Sequence, residues 1–202
     1  SPTQRVGAKP LEQFMTAQHL SPMLSLSNAF SEQELLDFDQ RIKKNISEQI
    51  YDYAVELKID GLAIALLYEN GILTRGATRG DGITGEDITQ NLRTIGSIPL
   101  KLREFKGMDV IEVYGEVYMN RENFKKLNEE RLKKSENLFV NPRNAAAGSV
   151  RQLDPSITAG RQLETFIYQA TFSRNDYFST HMELLDFLKN VGLRCSSNIN
   201  LF

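Results

Sequence analysis

The chain has 202 residues, enough for one domain with a sizeable core or two small ones. Its 41% hydrophobic and 25% charged residues are ordinary for a globular protein, which excludes a fibrous repeat or a wholly disordered chain. A formal charge of −2 leaves no global basic field, the single cysteine, Cys195, excludes a disulfide framework or a zinc site, and no apolar run is long enough to span a membrane.

Residues 1–30 read as irregular, punctuated by Pro2, Pro10 and Pro22, with the apolar side chains in PMLSLSNAF. The opening SPTQRVGAKP lacks the apolar core of a signal peptide, and a reducing, cytoplasmic location is expected. Ser31 followed by Glu34 is a capping-box pattern, and Leu35, Phe38, Ile42 and Ile46 fall on one face of the helix it starts, which is expected to pack against the core. Tyr53–Asp60 alternates as a strand, Leu62–Tyr68 is a nearly continuous apolar strand, and Asn70-Gly71 before Ile72-Leu73 signals a hairpin. TRGDGITGED, residues 78–87, reads as a glycine-rich loop leading into a short helix to about Ile95. Asp109–Met119 is a further strand. Asn120 caps a helix to about Lys134, and Pro142 opens another in PRNAAAGSVRQL. Phe166–Phe172 is a strand and His181–Asn190 a helix ending near Gly192. Strands and helices mix without strict βαβ alternation, so the expected class is α+β, antiparallel sheets with helices packed outside.

Alternation places Val55, Leu57 and Ile59 on one side of their strand and Glu56, Lys58 and Asp60 on the other. One reading is a half-buried strand with a solvated charged face. The other is a site, because Gly61 and an interior apolar strand follow at once and TRGDG can fold back over the same face. A lysine there could attack phosphorus if its amine sheds its proton. The flanking carboxylates oppose that, whereas a cation such as Arg79 or a phosphate-bound metal ion favours it. His19 and His181 have no evident partner and read as surface or satisfied core positions. The charges of Arg121–Lys134 are interleaved with glutamates and read as a solvated helix face, and Ala145–Gly148 as a tight helix-packing site.

Lys58-Ile59-Asp60-Gly61 resembles the K-x-D-G signature of covalent nucleotidyltransferases. The longer stretch ELKIDGLAIALLYENGILTRGATRGDGITGEDITQNLRTIGSIP, together with SPTQRVG, PMLSLSNAF, GEVYM and NPRNAAAGSVRQLD, is similar to bacterial NAD-dependent DNA ligases. The likeness runs to about Leu163 and thins beyond. It implies a nucleotidyltransferase (ATP-grasp-like ligase) core in which Lys58 attacks the α-phosphate of NAD, releases nicotinamide mononucleotide and holds AMP. Ser25 and Leu26 would line the nucleotide pocket, Glu56 would lie near the adenine, Arg79 would approach the phosphate, and Glu116 would accept from the ribose. Asp60 would help orient the lysine. Arg143 and Arg151 would contact DNA phosphate, a task suited to the planar guanidinium fork.

The resemblance also implies Mg2+, nicked double-stranded DNA as partner, a monomer, and a role in DNA replication and repair. Two lysine-bearing motifs of the family's nucleotidyltransferase domain have no counterpart here, and the chain lacks an initial methionine. The expectation is therefore an adenylation-domain fragment over 1–202, truncated at its C-terminal side and impaired in transfer by itself. The nicotinamide-recognition, OB-fold, zinc, helix-hairpin-helix and BRCT parts would lie elsewhere, zinc belonging only to that absent part. Two alternatives stand beside this: an ATP-dependent ligase or GTP-using capping enzyme, and a non-catalytic nucleotide- or protein-binding module.

Overall fold

The strongest local signals lie in the middle of the chain and build its centre. β3 (Leu62–Glu69) and β4 (Ile72–Thr78) form an antiparallel hairpin. Asn70 and Gly71 join them with φ of 49° and 76°, the backbone that an Asn-Gly hairpin turn requires. β6 (Val110–Tyr118) pairs with β3 on its other edge, and β7 (Glu164–Phe172) pairs with β6, giving an antiparallel sheet in the order β4-β3-β6-β7. The computed structural model describes residues 13–46, 51–105, 109–173 and 177–202. The SPTQRVG motif and the prolines at 2 and 10 lie outside them.

Helices cover one face of this sheet. α4 (Pro142–Val150) begins with Asn141 capping the Asn144 N–H and Pro142 in its first turn, and buries Ala145 and Ala146 completely. α6 (His181–Asn190) begins with a full capping box between Thr180 and Glu183 and buries Leu184, Leu185 and Leu188. These side chains meet Ile64, Leu66, Ile111, Val113, Val117 and Ile167 from the sheet in one continuous core. α3 (Arg121–Lys133), capped by Asn120, buries only Leu127 and carries the ion pairs Lys126–Glu122 and Lys125–Glu129 on its outer face. Short helices α2 (Thr89–Leu92) and α5 (Pro155–Ala159) complete the layer. The result is a mixed α/β fold with antiparallel sheets.

Four details differ from the sequence expectation. The strand expected over Tyr53–Asp60 is confined to β2 (Ala54–Glu56), so Lys58 and Asp60 fall just past its end. β2 lies outside the central sheet and pairs antiparallel with β8 (Ile199–Leu201), leaving Val55 and Leu57 half exposed where alternation expected burial. The helix started by Ser31, α1 (Glu32–Asn45), forms with the expected cap but buries no residue, and Leu35 and Phe38 stay exposed. Among the described residues its apolar stripe meets little more than the Tyr53 ring, whose centroid lies 6.1 Å from that of Phe38. Finally, β1 (Thr16–Gln18) and β5 (Thr84–Glu86) pair within stretches that read as irregular, because their hydrogen bonds come from each other and not from local pattern.

Candidate active site

The second face of the central sheet forms a cleft. Along β6 the alternation is regular: Ile111, Val113 and Val117 face the core, whereas Glu112, Tyr114 and Glu116 face the opposite way. β7 departs from simple alternation. Tyr114 pairs with Gln169 and Gly115 with Ile167, so Tyr168 is the extra residue of a β-bulge. The bulge puts Tyr168, Gln169 and Thr171 all on the cleft side, while Ile167, Ala170 and Phe172 stay with the core.

A strap made of residues 19–26 crosses this face. His19 Nε2 lies 3.0 Å from the Arg79 carbonyl, and Arg79 Nε donates to the Met23 carbonyl at 3.1 Å. The Met23 N–H donates to the Gly82 carbonyl at 2.8 Å. Beneath it, Glu112, only 1% exposed, accepts from the Leu20 N–H at 2.6 Å and the Tyr114 hydroxyl at 2.9 Å. Arg75 stands 3.7 Å from the same carboxylate.

Between strap, sheet and the segment after β2 lies a cavity of about 520 Å³. Lys58, Glu56, Arg79, Glu116 and Leu26 all line it. Lys58 is exposed as a residue, yet its side chain borders the same cleft as Glu56 and Arg79. Ser25 precedes Leu26 on the strap but is not itself among the lining residues. Asp60 and Arg143 form a surface ion pair with each other at 3.1 Å, and neither lines the cleft. Arg151 makes two bonds to Glu86, at 2.6 and 2.7 Å, tying α4 to β5 away from the cavity.

Burial pushes the Glu116 carboxyl above the usual glutamate range, opposed by the nearby charge of Lys58 and by the Gly61 N–H. The same contact explains the glycine of Lys58-Ile59-Asp60-Gly61. A Cβ at Gly61 would stand 2.1 Å from the Val117 carbonyl oxygen and 2.9 Å from Glu116 Cγ. Only a residue without a side chain lets the Lys58 segment come this close to β6. Burial raises Tyr168 to about 12, helped by Glu116 and opposed by Arg79, and it raises Tyr114 as well. Both phenols therefore stay neutral at physiological pH and offer an apolar ring with a polar edge.

Sequence reasoning missed several lining residues. His181, which read as partnerless, lies with Nε2 3.1 Å from Glu56 Oε1 and lines the cleft. Tyr114, Tyr168 and Met23 were also missed. The even-numbered polar positions of β6 carried a signal for Tyr114, but nothing local announced the bulge at Tyr168. His19 is nearly buried, but only half satisfied: Nε2 meets the Arg79 carbonyl, whereas Nδ1 is buried without a partner.

A lysine, an arginine, two carboxylates and two tyrosines sharing one cleft suit a bound nucleotide phosphate ester. The family model for the NAD-dependent DNA ligase adenylation domain matches residues 11–202. The chain belongs to this family. The match passes well beyond Leu163, where the likeness was expected to thin, so α6 and β8 are part of the adenylation domain too. Among curated relatives, a DNA ligase of Desulforudis audaxviator is 54% identical over all of the chain and 30% of its own length. A DNA ligase of a Thermoanaerobacter species is 55% identical over 96% of the chain and 28% of its length. A DNA ligase of Thermotoga neapolitana is 50% identical over 100% of the chain and 29% of its length. The chain thus spans about 30% of the length of the curated relatives it matches.

No cluster of three or more His, Cys, Asp or Glu suited to a metal ion occurs among the described residues. Cys195, the only thiol, is partly buried and burial pushes it up to about 11, so it is a poor thiolate donor. No helix of the described residues is long and apolar enough to cross a membrane.

Proposed function

We propose that this chain is the nucleotidyltransferase core of a longer NAD-dependent DNA ligase, with Lys58 as the nucleophile. The observation that carries this is the single cleft bordered by Lys58, Glu56, Arg79 and Glu116 in a member of the adenylation-domain family. Its volume, about 520 Å³, falls within the ordinary range for small-molecule sites.

In the proposed step the Lys58 amine, having lost its proton, bonds to the adenylate phosphorus of NAD. The pyrophosphate P–O bond breaks, and nicotinamide mononucleotide leaves with the bridging oxygen. Arg79 offsets charge that develops on the phosphate oxygens, an electrostatic contribution that needs no reorganisation if the group is already placed. The strap fixes Arg79 through the Met23 carbonyl and His19. Glu116 accepts from the ribose hydroxyls, and Glu56 from the adenine amine. Ser25 and Leu26 border the nucleotide from the strap. AMP then passes to the 5′-phosphate of nicked DNA, and the adjoining 3′-hydroxyl displaces it to seal the strand. Arg143 and Arg151 would serve these later steps on phosphate, with Asp60 holding Arg143 beside the Lys58 segment until then.

Mg2+ belongs to this reading as an ion carried on substrate phosphates with at most one or two carboxylates, its usual mode of binding. No step above is assigned to it. Zinc and the nicotinamide-recognition, OB-fold, helix-hairpin-helix and BRCT parts would reside outside these residues. A monomer working in DNA replication and repair in the cytoplasm completes the reading.

The test is intact-protein mass after exposure to NAD, alone and with a relative's nicotinamide-recognition domain supplied. One AMP per chain is expected, lost on adding excess nicotinamide mononucleotide. ATP and GTP, offered in parallel, should leave no label. Lys58→Ala should abolish the label while AMP still binds. A label that survives in Lys58→Ala would remove the assignment.

A further inference from the structure

The contact between His181 and Glu56 joins residues 125 positions apart, and neither belongs to the apolar core. His181 occupies the first turn of α6, whose start is set by the Thr180–Glu183 capping box and whose body is anchored by Leu184, Leu185 and Leu188. Glu56 ends β2, which is held by its pairing with β8. Both side chains are partly buried, at 33% and 23% exposure, and both line the cleft. An ionised carboxylate has only acceptor oxygens, so His181 Nε2 carries the proton in this contact.

We infer that His181 is a positioning and specificity residue that fixes the Glu56 carboxylate for recognition of a 6-aminopurine. The inference rests on the reading that Glu56 lies against the nucleotide base. A glutamate side chain free to rotate offers either oxygen in many directions, and ordering it on binding costs side-chain entropy. With Oε1 held by His181, the second oxygen is the one left to the cleft. That oxygen accepts a hydrogen bond from an exocyclic amine and repels the carbonyl that hypoxanthine or guanine carries at the same position. A site built to pair a buried polar group discriminates strongly against a base lacking the matching partner. Losing His181 frees the carboxylate to turn away, so selectivity falls together with affinity for adenine.

The test measures Kd for AMP, IMP and purine riboside 5′-monophosphate, which has no group at position 6. For the unsubstituted chain the expected order is AMP tightest and IMP weakest. His181→Ala should weaken AMP by about tenfold, the order expected for a lost hydrogen bond to a charged group, while leaving purine riboside monophosphate nearly unchanged. The preference for AMP over IMP should shrink accordingly. His181→Gln, which keeps an N–H donor of similar reach, should regain most of the AMP affinity. A merely structural role for His181 would weaken all three nucleotides alike, and that result, or an unchanged AMP-to-IMP ratio in His181→Ala, overturns the inference. Failure of the unsubstituted chain to bind any of the three would instead remove the nucleotide-site reading and take this inference down with it.

Discussion

Single residues carry sharply different loads at this site. Gly61 is demanded by contact, since a Cβ there would meet the Val117 carbonyl at 2.1 Å. Backbone must shift to admit it, so Gly61→Ala is expected to cost about 1–3 kcal/mol, the range for forcing extra volume into packed structure. Urea unfolding measures this, and a midpoint equal to that of the unsubstituted protein would contradict the contact argument. Glu116 works in the opposite sense. Burial is the largest influence on it and raises its folded pKa. Its contribution to stability is therefore fully present at acid pH, below the ordinary glutamate value, and is lost as pH rises through the raised folded value. Glu116→Gln removes that titration. The variant should melt somewhat above the unsubstituted protein near neutral pH, and the gap should close on acidification. A gap that widens toward acid pH would reverse the sign and refute the burial argument.

At the scale of elements, two helices with good caps behave differently because of what lies under them. α1 has a capped start at Ser31 and a basic last turn, yet none of its residues is buried. α6 buries Leu184, Leu185 and Leu188 against the sheet. Leu185→Ala should therefore lower global stability by about 2–5 kcal/mol, the usual cost of truncating a buried leucine. Ser31→Ala should weaken α1 locally by about 1 kcal/mol, the ordinary value of a lost cap, without moving the global melting temperature. Hydrogen exchange resolves the two: amides of α1 should lose protection in Ser31→Ala while those of β3 and β6 keep theirs. A matching fall in the global midpoint would mean that α1 is coupled to the core after all. The bulge in β7 belongs to this scale as well, since one extra residue turns Tyr168 and Gln169 together into the cleft.

At the scale of the whole molecule, the strap over the sheet turns a flat face into a cavity. One of its anchors is Glu112, a buried carboxylate that accepts from the Leu20 N–H and the Tyr114 hydroxyl. Glu112→Ala strands the Leu20 N–H, leaves the Tyr114 hydroxyl only the longer contact to the Ser21 carbonyl at 3.3 Å, and leaves Arg75 without its facing carboxylate. The expected loss is about 2–4 kcal/mol, the range for breaking a buried polar network by removing one partner. Adenine-nucleotide affinity should fall in parallel, although Glu112 does not line the cavity, because Met23, Leu24 and Leu26 on the strap do. Calorimetric melting together with nucleotide titration tests both, and intact affinity in a destabilised Glu112→Ala would show that the strap holds its place without this anchor.

Much of this architecture was already written into local residue patterns. Asn70-Gly71 dictated a tight turn, Ser31, Asn120 and Pro142 dictated helix starts, and the apolar run from Leu62 dictated the strand at the centre of the sheet. These are decisions between neighbours a few positions apart, where backbone sterics and capping hydrogen bonds act regardless of the rest of the chain. The motif around Lys58 was legible for the same reason, because its residue types stand next to one another. Which face each side chain finally presents was settled by partners far away in the chain. β2 chose β8 and not the central sheet, α1 buried none of its residues, the β7 bulge re-aimed Tyr168, and His181 reached Glu56 across 125 positions. Such choices depend on which distant surface buries more area or satisfies more hydrogen bonds, and no local window of sequence contains both sides of that comparison.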